Sequence, residues 1–194
     1  MKKRQFLSAA ALAAGSLPAF AAAKTAPGST GPALLTISGA IARGNRGPLD
    51  PAFDQMMHKH KASFDKAWTC DFAALLNVAP IRIRPTLEYD AKVHELSGPL
   101  LLDVLALAGA RLRPDTRIVL RAVDGYAATI SAEQARSQRF IVATHLDGRP
   151  MALGGLGPLW ALPDADRVPA LAAKPLAERF GGCPWALYHI DVLA

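Results

Sequence analysis

Apolar residues fall in short runs broken by Gly, Pro and Asp, and their periods predict alternating strands and helices. Leu34-Leu35-Thr36-Ile37-Ser38-Gly39 reads as a strand closed by a turn. Ile81-Arg82-Ile83-Arg84-Pro85 alternates apolar and basic residues, the period of a half-exposed strand. Arg117 to Val123 and Tyr126 to Ile130 flank Asp124-Gly125, a dipeptide suited to the positive φ of a tight hairpin. Phe140 to Leu146 predicts another strand, ending at an Asp147-Gly148 turn, and Ala186 to Val192 alternates as an edge-type strand.

Helix signals lie between these runs. Asp50-Pro51 offers a cap and a first-turn proline for a helix through about Lys61. Its His58 and His60 would point about 200° apart and so do not share a metal. Asp71 caps a short helix over Phe72 to Leu76, and Ser131 caps another beginning at Ala132. Ser97-Gly98-Pro99 is expected to open a helix that places Leu101, Val104, Leu105 and Ala108 on one side and closes at Gly109. Strands and helices interleave without strict βαβ repetition and without an internal repeat, so the expected class is α+β with a mixed sheet and short helices, in a single domain. Asp164 and Asp166, beside Pro163, are expected in a loop facing water.

The N-terminus alters the charge picture. Lys2-Lys3-Arg4, an apolar stretch from Phe6 to Leu17 and Ala19-Phe20-Ala21 form a signal-peptide pattern over residues 1–23, too short to span a bilayer. Lys3-Arg4-Gln5-Phe6-Leu7 fits twin-arginine export with lysine in the first arginine's place, and ordinary unfolded export fits as well. Residues 24–33 read as a flexible linker and 34–194 as the domain. Cleavage removes three basic groups and no acidic ones, taking the formal charge from +6 to +3. That balance excludes nucleic acid as a partner, leaves Lys59, Lys61 and Lys66 as a solvated face, and leaves no membrane span after cleavage. The expected location is periplasmic.

Cys70 and Cys183 either pair in an oxidising compartment or stay as two buried thiols. Neither lies in a zinc-ligand spacing, and no metal site is expected. Ser131 and Ser137 lack a nucleophile-elbow context, and Gly154-Gly155-Leu156-Gly157 does not open a helix as a phosphate loop requires.

Several motifs occur in a telling order: Gly98-Pro99-Leu100-Leu101, Asp124-Gly125-Tyr126, Ile141-Val142-Ala143-Thr144, Asp147-Gly148-Arg149-Pro150, Gly157-Pro158-Leu159-Trp160 and Trp185-Ala186-Leu187-Tyr188-His189-Ile190. The order, over roughly Leu34 to Val192, resembles the molybdopterin-binding domain of the sulfite-oxidase family. The resemblance implies a molybdenum-molybdopterin oxidoreductase, in which a cysteine thiolate binds the metal and basic side chains hold the pterin phosphate. This chain departs from that pattern at three places. The region Ile83-Arg84-Pro85-Thr86-Leu87, where the family's cysteine is expected, has none; Trp160 stands where the family carries an arginine; and Cys183-Pro184 stands where it carries a lysine.

Metal ligand and phosphate partners are therefore missing together. The sequence points to a retained scaffold without cofactor, acting as a periplasmic ligand-binding or accessory module for a small molecule or for a membrane signalling or redox partner. Its counterpart reading is an active molybdopterin-dependent oxidoreductase with a non-cysteine ligand. The expected pocket residues are Arg84, Asp124, Tyr126, His145, Gly157 and Trp160. Four of them have a structural alternative: solvent face for Arg84, as for Arg82 and Arg121, core or rim for His145, as for His189, and turn and core packing for Tyr126 and Trp160.

Overall fold

The computed structural model describes residues 31–193. The signal segment, most of the linker and Ala194 lie outside the described residues. The chain is α+β, with three sheets and short helices around one main core.

The larger sheet is mixed. Its order is β2 (Trp68–Cys70), β1 (Leu35–Gly39), β11 (Leu187–Leu193), β5 (Arg117–Ala122), β6 (Ala127–Ser131), numbering the strands by chain position. β1 and β11 run parallel, and the other pairs are antiparallel. The alternating C-terminal strand expected at an edge is therefore the central one. Its Leu187 to Ile190 are all buried, because the main core covers one face while Met57, Ala62, Phe64 and Ala67 pack with Tyr188 on the other. A strand covered on both faces loses the polar half of its alternation.

The second sheet orders β3 (Pro80–Ile83), β4 (Leu96–Pro99), β8 (His145–Leu146) and β9 (Arg149–Pro150), and a two-stranded ribbon pairs β7 (Ile141–Ala143) with β10 (Trp160–Leu162). The single strand expected over Phe140 to Leu146 is thus divided between two sheets. Gly98-Pro99 ends a strand instead of opening a helix. A Cβ at Gly98 would collide with the Val142 carbonyl, so β4 and β7 approach closely enough to exclude any side chain there.

Helices α1 (Gln55–Lys59), α2 (Phe72–Leu76), α3 (Leu101–Leu107), α4 (Ala132–Ser137) and α5 (Pro169–Ala172) are all short. Asp71 Oδ1 accepts from Ala74 N–H at 2.8 Å and Ser131 Oγ accepts from Gln134 N–H at 3.0 Å, the two side-chain caps the sequence predicts. The helix expected from Asp50 begins later, after a turn in which Asp54 receives both the Asp50 N–H and the Arg46 guanidinium. Leu101, Val104, Leu105 and Ala108 are fully buried, as their spacing predicts.

Asp164 and Asp166 do not simply face water. Asp166 accepts from Thr86 N–H and Oγ1–H, each at 2.7 Å, and from Arg179 at 2.7 Å; Asp164 accepts from Arg84 N–H at 3.3 Å. These carboxylates tie the end of β3 to the 164–179 segment. Cys70 and Cys183 are both free and buried, so the thiol alternative holds.

Candidate functional site

The Asp124-Gly125 turn joins β5 to β6. Gly125 has φ +92°, a left-handed conformation that glycine adopts without strain, and Asp124 Oδ1 accepts from Tyr126 N–H at 2.8 Å. This turn presents Asp124 and Tyr126 to a cleft of about 360 Å³ that is also lined by Glu88, Tyr89, Phe180, Cys183 and Trp185. That volume lies within the range of small-molecule sites.

Each wall of the cleft is fixed by local chemistry. Glu88 and Tyr89 sit on a loop closed at its base by Leu87 N–H to Lys92 carbonyl, 2.9 Å, and His94 N–H to Pro85 carbonyl, 3.1 Å. His94 braces that loop, with Nδ1 2.7 Å from Asp147 and Nε2 3.1 Å from Asp90. The two carboxylates raise the His94 pKa above its ordinary 6.5, Asp147 having the larger effect. The opposite wall is tethered where the Tyr126 hydroxyl donates to the Gly181 carbonyl. Behind both lies Trp160, fully buried on β10, its indole N–H donating to the Cys183 carbonyl at 2.8 Å. Its ring lies 6.5 Å from Tyr89 and 5.6 Å from Phe180, centroid to centroid.

Two neighbours respond to burial and to the Glu88 carboxylate. Burial, then Glu88, raises the Tyr89 hydroxyl above its usual 10.0, and the same two causes push the Cys183 thiol up to about 12. Burial and Asp71 push Cys70 up to about 12. Both cysteines are therefore thiols, without the thiolate character that metal binding or nucleophilic attack requires.

Of the six residues expected at one pocket, Asp124 and Tyr126 line this cleft and Trp160 supports it. The others lie elsewhere. His145 lines a separate groove of about 240 Å³ with Leu76, Arg82 and Glu95, its Nδ1 2.8 Å from Thr144 Oγ1. Arg84 is exposed after β3, where only its backbone N–H has a described partner, Asp164. Gly157 is buried, and a Cβ there would collide with Met151, so its role is close packing. Sequence reading missed Glu88, Tyr89, Phe180 and Trp185; their one visible signal was the presence of aromatic residues near Asp and Glu in loops.

Two other places lack such convergence. Ser38, His189 and Asp191 lie together, but Ser38 Oγ donates its only proton to Asp191 at 2.8 Å and so accepts from His189 Nε2 at 2.9 Å. Burial pushes His189 down to about 4, leaving it neutral, and Ser38 is fully buried. With Ser38 fully buried and its proton given to Asp191, this is a core network that presents no nucleophile to a cleft. A larger concavity of about 560 Å³ is lined by Ala40, Ile41, Ala42, Lys66, Arg111, Arg113 and Thr116. Its cations are exposed side chains, and the Thr116 hydroxyl already accepts from Arg113 N–H, so no set of polar groups converges on it.

Among the described residues no group of three or more His, Cys, Asp or Glu could hold a metal ion, and no helix is long and apolar enough to cross a membrane. No protein-family model matches the chain, and no curated protein matches it. Among solved structures, it is similar to the sulfane dehydrogenase SoxCD from Paracoccus pantotrophus, with a TM-score of 0.51 and 11% identity over 82% of this chain. The match spans 37% of the SoxCD chain, so this protein corresponds to little more than a third of it. At that identity the likeness is one of fold.

Proposed function

We propose that this chain is an exported ligand-binding or accessory module built on the sulfite-oxidase-type molybdopterin-binding fold and working without the metal cofactor. The ordered motifs and the structural likeness to a sulfane dehydrogenase support the scaffold. The signal-peptide pattern of residues 1–23 supports a periplasmic location, where the module would hold a small molecule or serve a membrane signalling or redox partner.

One observation carries the reading: the chemistry of the cleft lining. A molybdenum-pterin group needs a thiolate and cations for its phosphate. Among the described residues the cleft is lined by no Lys or Arg, two of its residues are the carboxylates Glu88 and Asp124, and its one cysteine is held as a thiol. Bringing a phosphate against two carboxylates without a compensating cation is unfavourable. A lining of this chemistry supports a cleft that serves a ligand other than the anionic cofactor.

The test is to purify the protein from a host that makes the cofactor, with molybdenum supplied, and to assay metal and pterin. A stable, metal-free protein is expected. Stoichiometric molybdenum would instead establish the oxidoreductase reading with a non-cysteine ligand.

A further inference from the structure

We propose that the cleft between the Asp124-Gly125 turn and the Glu88-Tyr89 loop takes a small organic cation, an ammonium or quaternary ammonium compound. This assignment rests on the ligand-binding reading above and names the ligand class of the same site.

The first ground is where the exposed aromatic rings lie. Among the described residues four Phe, Tyr or Trp side chains are exposed, and three of them, Tyr89 at 55%, Tyr126 at 49% and Trp185 at 38%, line this one concavity. Isolated exposed rings need no explanation, but three lining one cleft do. Ring faces carry negative quadrupole charge and attract cations, Trp most strongly.

The second ground is charge. The chain has 22 Lys and Arg against 16 Asp and Glu, yet the cleft takes two acidic and no basic residues from that surplus. Carboxylate placed with aromatic rings is complementary to a soft, poorly hydrated cation and repels phosphate or sulfate. Glu88 and Asp124 come from two separate loops, so acidic groups line the cleft from both.

The third ground is preorganisation. Tyr126 is tethered to Gly181, the Cys183 carbonyl is fixed by Trp160, and His94 braces the loop carrying Glu88. A site held open in this way loses little entropy on binding.

Calorimetric titration of the protein with choline, with its neutral isostere 3,3-dimethylbutan-1-ol and with glucose tests the assignment. Saturable choline binding is expected, at least about tenfold tighter than the isostere and weakening with added salt. Glu88→Gln combined with Asp124→Asn should weaken choline roughly tenfold or more while leaving the melting temperature near wild type, since the amide side chain introduced at position 124 keeps an oxygen to accept from Tyr126 N–H. Trp185→Leu should weaken it too, and if that variant does not fold, Glu88→Gln alone serves. Equal binding of choline and its isostere, or binding of glucose alone, would overturn the cation assignment while leaving a ligand site standing. Absence of choline binding, or wild-type affinity in the charge variants, would also overturn it. Molybdenum-pterin in the purified protein would instead overturn the reading beneath it.

Discussion

Trp160 donates its indole N–H to the Cys183 carbonyl at 2.8 Å, a fully buried bond joining β10 to the loop that lines the cleft. It accounts for a tryptophan at a position where the sequence resemblance suggests an arginine: the residue supports the cleft from behind and does not enter it.

Replacing Trp160 by Phe keeps part of the ring packing against Tyr89 and Phe180 but leaves the Cys183 carbonyl without its donor. The expected loss is about 1–3 kcal/mol. Trp160→Ala adds a cavity and should cost about 3–5 kcal/mol. Urea unfolding followed by circular dichroism checks both, and a neutral Trp160→Ala would contradict the packing.

Asp166 accepts from Thr86 twice and from Arg179 once, joining the end of β3 to the segment that carries Phe180. Asp166→Ala is expected to destabilise by about 1–3 kcal/mol. Arg179→Lys should not preserve stability fully, because Arg179 also donates to the Lys174 and Ala172 carbonyls, which one ammonium cannot reach in the same fork geometry. Chemical denaturation of the two variants reads this directly.

Two histidines give opposite pH dependences. Burial depresses His189 from 6.5 to about 4, so it stabilises the fold above the unfolded value and that stability is lost as pH falls through this interval, by on the order of 3 kcal/mol. His94 is raised by Asp147 and Asp90, so its contribution is complete below 6.5 and lost as pH rises through the higher folded value. Its partner carboxylates are lowered from 3.8, chiefly by His94, so the pairing also fails in stronger acid. His189→Asn should flatten the acid limb of the stability–pH profile, and His94→Asn should remove the loss on the alkaline side. Unchanged limbs in these variants would refute the assignments.

Cys70 and Cys183 are buried thiols pushed up to about 12. Native protein is expected to resist iodoacetamide near neutral pH and to take up a label at each cysteine after unfolding without reductant. A mass showing a disulfide, or rapid native labelling, would contradict this arrangement.

Much of the fold is legible in local chemistry. The Asp124-Gly125 hairpin, the Asp71 and Ser131 caps and the Leu101-Val104-Leu105-Ala108 stripe each depend on interactions within a few residues, and sequence spacing records them. The place of β11 does not depend on its own pattern. Its alternation suits an edge, but Met57, Phe64 and Ala67 pack on Tyr188 and bury the second face, and those contacts join segments far apart in the chain. Gly98-Pro99 fails for a similar reason, since the approach of β7 holds it in a strand. Only the turn side of the cleft was visible: Asp124 and Tyr126 come from one turn, whereas Glu88, Phe180 and Trp185 come from loops without periodicity. His145 and Arg84, expected beside them, lie on other parts of the second sheet and its margin.

The proposed reading, that the cleft serves a ligand other than a metal-pterin cofactor, predicts a protein without that cofactor. The most direct measurement is the molybdenum and pterin content per chain of protein purified from a molybdenum-replete, cofactor-making host. Trace, substoichiometric molybdenum without a pterin chromophore, in protein that melts cooperatively, is the predicted result. Molybdenum and pterin at stoichiometry with the chain would contradict it.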